Sequence, residues 1–173
     1  KKIIGLHGWL DNSNTYTLLG PYLAAKGYHL VALDTVGHGR SSHLSVDSQY
    51  TTDKTVAYLH EVVESLGWEK PHIMGHSMGA GIALAYAGVF PEKVDKLVMI
   101  EGLGAYTSSA AKGCKNLRRA IEALQKADLL AAKLGTRSKV YASFKDAVDA
   151  RVRVVSSYPG NQTLSEEAAT WLL

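Results

Sequence analysis

Ser77 stands in the run Ile73-Met74-Gly75-His76-Ser77-Met78-Gly79-Ala80-Gly81. A serine with glycine two residues before and two residues after it is the pattern of a nucleophile on a tight strand-to-helix turn. The reason is steric. Gly75 and Gly79 remove the side chains that would collide across the turn, and His76 fills the remaining position of the bend. Gly81 is expected to let the following helix lie close to the sheet. A hydroxyl placed there sits at a helix N-terminus, where free N–H groups and the macrodipole favour developing negative charge. The Met78 N–H is one expected donor. A second comes from Leu6-His7-Gly8-Trp9, where a strand ending in His-Gly turns the Trp9 N–H into the same space. Two converging N–H groups beside a serine make an oxyanion hole, and the chemistry is attack on a carbonyl carbon. His7 is expected as a buried turn histidine that shapes the loop, and Trp9 as part of a substrate pocket.

A third segment, Asp34-Thr35-Val36-Gly37-His38-Gly39-Arg40-Ser41-Ser42, combines small residues, an arginine and serines after a strand. It reads as an ordered turn that braces the site without taking part in the chemistry.

The elements that must carry these residues follow from periodicity. Ile3–Leu6, Tyr28–Leu33, Pro71–Met74 and Val94–Ile100 read as buried strands, and Thr15–Lys26, Thr51–Leu66 and Met78–Phe90 as helices between them. Strand and helix alternate with no hairpin signal, which predicts a parallel sheet flanked by helices. After residue 106 the pattern changes. Lys115–Lys133, Ser143–Val155 and Leu164–Leu173 read as helices with no further buried strand. The predicted division is therefore 1–106, an α/β core portion, and 107–173, a helical portion.

The segments HGW-LDN, GHGRSS, GHSMGA and FPEKVDKLVMIE, in this order between Lys1 and Gly104, resemble the α/β-hydrolase superfamily, and within it the serine-hydrolase-like proteins. The resemblance implies a partial α/β-hydrolase fold that starts near the third strand and ends inside a helical cap. Val36 departs from the proline or arginine that many relatives place there. In this fold the nucleophile, acid and histidine follow in that order along the chain. All seven histidines (His7, His29, His38, His43, His60, His72 and His76) precede or adjoin Ser77 on its N-terminal side. The side chain of His76 is expected to point away from the hydroxyl. The general base is therefore expected beyond residue 173, or is lacking. Some relatives with caps place their acid at the end of the fourth predicted strand, which makes Glu101 the candidate acid. Its other reading is a salt-bridged carboxylate on the rim.

The resemblance and the residues together imply a serine hydrolase acting on a carboxylic ester or related acyl substrate, with no metal or organic cofactor. A serine at position 77 argues against dehalogenase or epoxide hydrolase action, which use a carboxylate there. Two alternatives stand beside the esterase-like reading: an inactive binding module on the same fold, and haloperoxidase-like or C–C bond chemistry. The cap helices are expected to cover the turn, with Leu117, Ile121, Leu124, Leu129 and Leu130 forming an apolar pocket and Tyr106 and Tyr141 its wall.

Composition sets the outer limits. The chain has 173 residues, 46% hydrophobic and 20% charged, which is globular composition. Residues 107–157 carry 11 Lys/Arg against 4 Asp/Glu, whereas residues 1–106 carry 8 against 10. The basic stretch lacks interleaved aromatics, so it reads as a solvated helical face and not as a nucleic-acid site. No apolar run reaches the roughly 20 residues that span a bilayer, and membrane association is not expected. The lone Cys114 can form no internal disulfide. A reducing compartment is expected, the cytoplasm or another intracellular space, the peroxisome included.

Overall fold

Two apolar runs form the middle of a four-stranded sheet. β1 (Lys2–Leu6) and β3 (His72–His76) are buried along almost their whole length, because helices cover both faces. β2 (His29–Leu33) and β4 (Leu97–Ile100) lie outside them in the order β2-β1-β3-β4, and every pair is parallel. The computed structural model describes the whole chain except residues 46–47, 103–108, 135–139 and 159.

The alternation of side chains along each strand divides the core. Ile4, Leu6 and Ile73 face α2 (Thr52–Ser65) and α3 (Met78–Val89), where they meet Val56, Leu59, Val63, Ile82 and Tyr86. Each fully buried aliphatic side chain of this layer contributes about 1.5–3 kcal/mol of transfer free energy. Ile3 and Met74 face the other way and pack with Tyr16, against which Leu19 and Leu23 of α1 (Leu19–Ala25) also rest. Tyr16 donates its hydroxyl proton to Leu6 O at 2.9 Å, and burial pushes its pKa up to about 12.

The helix predicted over Thr15–Lys26 is two pieces. A 3₁₀ turn spans Ser13–Tyr16, and α1 begins only at Leu19. Pro21 explains the break. It has no N–H to donate and is tolerated only within a first turn, so the helix starts just ahead of it.

Two compact units are present. One comprises Lys1–Ala105 with Leu164–Leu173, the other Tyr106–Thr163. The last ten residues, which read as a helix of the 107–173 portion, cluster with residues 1–105. Their helix α6 (Glu166–Trp171) is capped by Ser165 Oγ, which accepts from Ala168 N at 3.1 Å. Trp171 O accepts from Asn12 Nδ2 at 3.3 Å and from Asn14 Nδ2 at 2.7 Å.

The second unit holds α4 (Ala110–Leu134) and α5 (Phe144–Ser156). α4 begins five residues before the predicted Lys115, since Ala110 and Ala111 are strong helix formers and one glycine, Gly113, costs only about 1 kcal/mol. Leu117, Ile121, Leu124, Leu129 and Leu130 are all exposed. A periodic stripe reports amphipathicity, not what covers it. Tyr141 is also exposed, and Tyr106 lies outside the described residues.

Candidate active site

The turn between β3 and α3 is held from both sides. Ser77 N donates to Ile100 O at 2.9 Å, which extends the β3–β4 ladder by one residue. Ser77 O accepts from Ala80 N at 3.0 Å and Gly81 N at 3.2 Å, which starts the helix. A single residue must satisfy a strand and a helix at once, and it does so at φ 50° and ψ −111°. For a non-glycine residue that conformation costs about 1–3 kcal/mol and persists only where its surroundings over-determine it. Here they do. A Cβ on Gly75 would overlap the Gly79 carbonyl and Ala80 N, and a Cβ on Gly79 would overlap the Leu6 and His7 carbonyls. At both glycines the backbone of another segment approaches directly. Gly81 is different: a Cβ there would meet nothing within 4 Å, so it is not what brings α3 to the sheet. Close packing is the work of Gly79, whose N–H donates to His7 O at 3.1 Å.

That bond draws the β1–α1 loop over the serine. A Cβ built on Gly8 would stand 3.6 Å from Ser77 Cβ and 3.0 Å from His76 Nδ1. The two backbone donors expected at the site, Trp9 N–H and Met78 N–H, have no hydrogen-bond partner among the described residues. Gly79 N–H is used up by His7 O, so the first free donor after the serine is the one at Met78. Trp9 is 63% exposed, and its ring rests edge-on against His38 at 5.5 Å between centroids.

No histidine hydrogen-bonds the Ser77 hydroxyl among the described residues, and all seven histidines are described. His76 is turned aside: its Nε2 stands 3.6 Å from Glu101 Oε2. Glu101 lies on the rim at the end of β4, largely exposed, with φ 50°. Leu10 in the loop after Trp9 has φ 56°. Three of the four non-glycine residues with positive φ among the described residues (Leu10, Ser77 and Glu101) therefore stand at the carboxyl ends of β1, β3 and β4 or in the loops that leave them. The fourth, Asn161, belongs to the other unit. Leu10 carries no sequence signal, because leucine rarely adopts this conformation.

The segment after β2 is the expected brace. Asp34 Oδ1 accepts from Ser13 N at 2.7 Å and Oδ2 from Arg40 N at 2.8 Å, while Ser41 Oγ donates to Asp34 O at 2.6 Å. Partial burial pushes the Asp34 carboxyl up, but the donors of Arg40 and Ser13 outweigh it and hold its pKa below the usual carboxylate range. Thr35 reaches across to His7, a contact the sequence did not announce, since threonine and histidine on neighbouring loops carry no joint pattern. A cavity of about 570 Å³ lies beside this segment, between Leu33, Leu59, Val62 and Ile82, and neither Ser77 nor Trp9 lines it.

The chain is similar to several known proteins. Residues 2–150 match the family described as alpha/beta hydrolase fold. A serine hydrolase-like protein of Danio rerio is 32% identical over 173 residues, covering 100% of this chain and 50% of that protein. A hypothetical protein of Pseudomonas aeruginosa PAO1, known from its crystal structure, is 38% identical with a TM-score of 0.81, covering 99% of this chain and 55% of that one. The thioesterase domain from the curacin biosynthetic pathway is 29% identical with a TM-score of 0.72, covering 99% of this chain and 57% of that one. The chain spans about half the length of each of these proteins. With a parallel sheet in the order β2-β1-β3-β4 and a strained serine between its third strand and the next helix, the chain belongs to the α/β-hydrolase fold family.

Proposed function

We propose that this chain carries the nucleophile and oxyanion site of a serine hydrolase for a carboxylic ester or related acyl substrate. The observation that carries the reading is the Ser77 backbone, held at φ 50° between a strand ladder and a helix start. Strain of this kind is retained where it serves a site. The similarity to a serine hydrolase-like protein and to a thioesterase domain supports an acyl substrate.

In this reading Ser77 Oγ attacks the carbonyl carbon while its proton passes to a histidine base. The carbonyl oxygen becomes an oxyanion held by the Trp9 and Met78 N–H groups. The tetrahedral adduct collapses, the C–O bond to the leaving alcohol breaks, and the base returns the proton to that alcohol. Water then repeats the sequence on the acyl-enzyme. No histidine hydrogen-bonds Ser77 Oγ among the described residues, so this reading requires a base from outside these 173 residues. Glu101, strained at the neighbouring strand end, is the carboxylate proposed to orient it. Glu101 now stands beside His76 instead, so this role requires the base to enter between them.

A binding module without turnover is the second reading, and the lack of a histidine at Ser77 Oγ favours it. Labelling of the full-length protein with a fluorophosphonate separates the two. Covalent labelling that disappears in Ser77→Ala is expected. Labelling that survives the substitution refutes Ser77 as nucleophile, and a folded, unlabelled protein supports the binding module. The 173-residue chain alone is expected to turn over activated esters negligibly, because it lacks a base. No helix among the described residues is long and apolar enough to cross a membrane.

A further inference from the structure

His7 has no exposed surface, and both of its ring nitrogens are engaged. Nε2 lies 3.0 Å from Thr35 N. A backbone N–H only donates, so Nε2 must accept and the ring proton must sit on Nδ1. Nδ1 lies 2.7 Å from Gly8 O, and from this tautomer it donates to that carbonyl. Thr35 Oγ1 stands 3.1 Å from His7 Nε2 and 3.2 Å from His38 Nδ1, which is itself 3.2 Å from Val36 O. His38 Nδ1–H is shared between Thr35 Oγ1 and Val36 O, the Thr35 N–H and O–H converge on the one Nε2 lone pair of His7, and His7 Nδ1–H donates to Gly8 O. The ring of His38 also meets that of Trp9, which closes the circuit on the loop it began from.

Gly8 O and Trp9 N–H belong to one planar peptide, and no peptide in the described chain is cis. Carbonyl and N–H therefore point in opposite directions. Anchoring the carbonyl on His7 aims the N–H away from the ring, in a loop where a Cβ on Gly8 would stand 3.6 Å from Ser77 Cβ. We infer that His7, read by Thr35 on one side and gripping Gly8 O on the other, is the positioning residue that presents the Trp9 N–H to an oxyanion, and that it must be neutral to do so. This rests on the hydrolase reading above. Protonation would put a hydrogen on Nε2 against the Thr35 N–H and break the chain at its middle. Burial lowers the pKa of His7, the Gly8 carbonyl offsets part of this, His38 lowers it further, and Asp11 and Asp34 raise it.

The test uses His7→Phe, His7→Asn and Thr35→Val in the full-length protein, with an activated ester. Losing one oxyanion donor lowers kcat by about 10²–10³-fold. His7→Phe is expected to approach that loss with KM changed less than about threefold, because the donor acts on the transition state. His7→Asn, whose amide can still reach Gly8 O, is expected to recover at least about tenfold of it. Thr35→Val keeps its N–H and should cost less than either. A folded His7→Phe protein with unchanged kcat overturns the inference. If His7→Phe does not fold, the ring itself decides: ¹⁵N-resolved NMR is expected to show neutral His7 with its proton on Nδ1 at pH 7. A cation or the Nε2–H form there overturns the inference regardless of turnover. Should wild type turn over nothing, the hydrolase reading fails separately. The Trp9 amide shift in His7→Asn then reports whether His7 sets that peptide, and an unmoved shift counts against it.

Discussion

Residues 1–105 and residues 106–163 hold their shapes by different means. In the first, atoms distant in sequence fix one another through the backbone. Gly79 N bonds His7 O, Ser77 N bonds Ile100 O, and two glycines stand where any side chain would collide. In the second, the visible devices are local. Ser143 caps α5, accepting from Asp146 N at 3.1 Å and donating to Asp146 Oδ2 at 2.7 Å, and Lys145 pairs with Asp149 one turn on. The large apolar residues of α4 remain in solvent. The first kind of structure can store strain at a chosen residue, because removing one restraint leaves several others. In the second, the one described non-glycine residue with positive φ is Asn161, an asparagine, which tolerates that conformation better than serine, leucine or glutamate.

Substitutions that add or remove a few atoms test this contrast. Gly79→Ala should have the largest effect. Its Cβ would overlap two carbonyls of the β1 end, so loss of about 3 kcal/mol or failure to fold is expected in chemical denaturation. Ile73→Ala in the buried layer should cost about 2–5 kcal/mol, while Leu124→Ala, exposed on α4, should stay within about 0.5 kcal/mol. A Leu124→Ala loss as large as that of Ile73→Ala would show that the α4 face is covered in solution. Ser143→Ala removes a cap and should cost about 1 kcal/mol. Gly113→Ala, with open space around it, should stabilise α4 by up to about 1 kcal/mol, the reverse of Gly79→Ala.

Titration sharpens the same contrast. Burial holds the folded-state pKa of His7 below the ordinary histidine value of 6.5. At pH above 6.5 both states are neutral and stability is complete. As pH falls through 6.5 the unfolded chain takes up a proton that the folded site refuses, so stability declines. Asp34 acts lower. Its pKa is depressed below 3.8, so its contribution is present above that value and is lost as pH falls through the folded-state pKa. Unfolding midpoints measured from pH 8 to pH 5 should decline in wild type and flatten in His7→Asn. A wild-type midpoint that is level across this range contradicts the burial of a neutral His7.

The legible parts of the molecule were those where a residue type answers a steric demand. Gly75 and Gly79 had to be glycine for Ser77 to sit where it does. The alternation of apolar strands and helices foretold the parallel sheet, because only a sheet covered on both faces keeps such strands buried. What stayed hidden depended on partners that no spacing brings together. Glu101 meets His76 across adjacent strands, and Thr35 meets His7 across adjacent loops. Leu10 bends back for reasons its side chain does not reveal. Gly81 misled for the opposite cause: a glycine inside a helix suggests close packing, yet the space beside it is open. The stripe on α4 gave the period of its apolar face but not its neighbour.

The bond from Gly79 N to His7 O has a consequence in time as well as in space. It joins the end of β1 to a helix that begins 72 residues later, and the Ser77 N–H bond to Ile100 brings in β4. Contacts of such separation form late, after the loops between them have been closed. A chain that has paired only β1 with β2 holds Ser77 in ordinary backbone, with no reason to bend it. The strained geometry at Ser77 therefore depends on contacts of long sequence separation, and a molecule that lacks them carries an unremarkable serine.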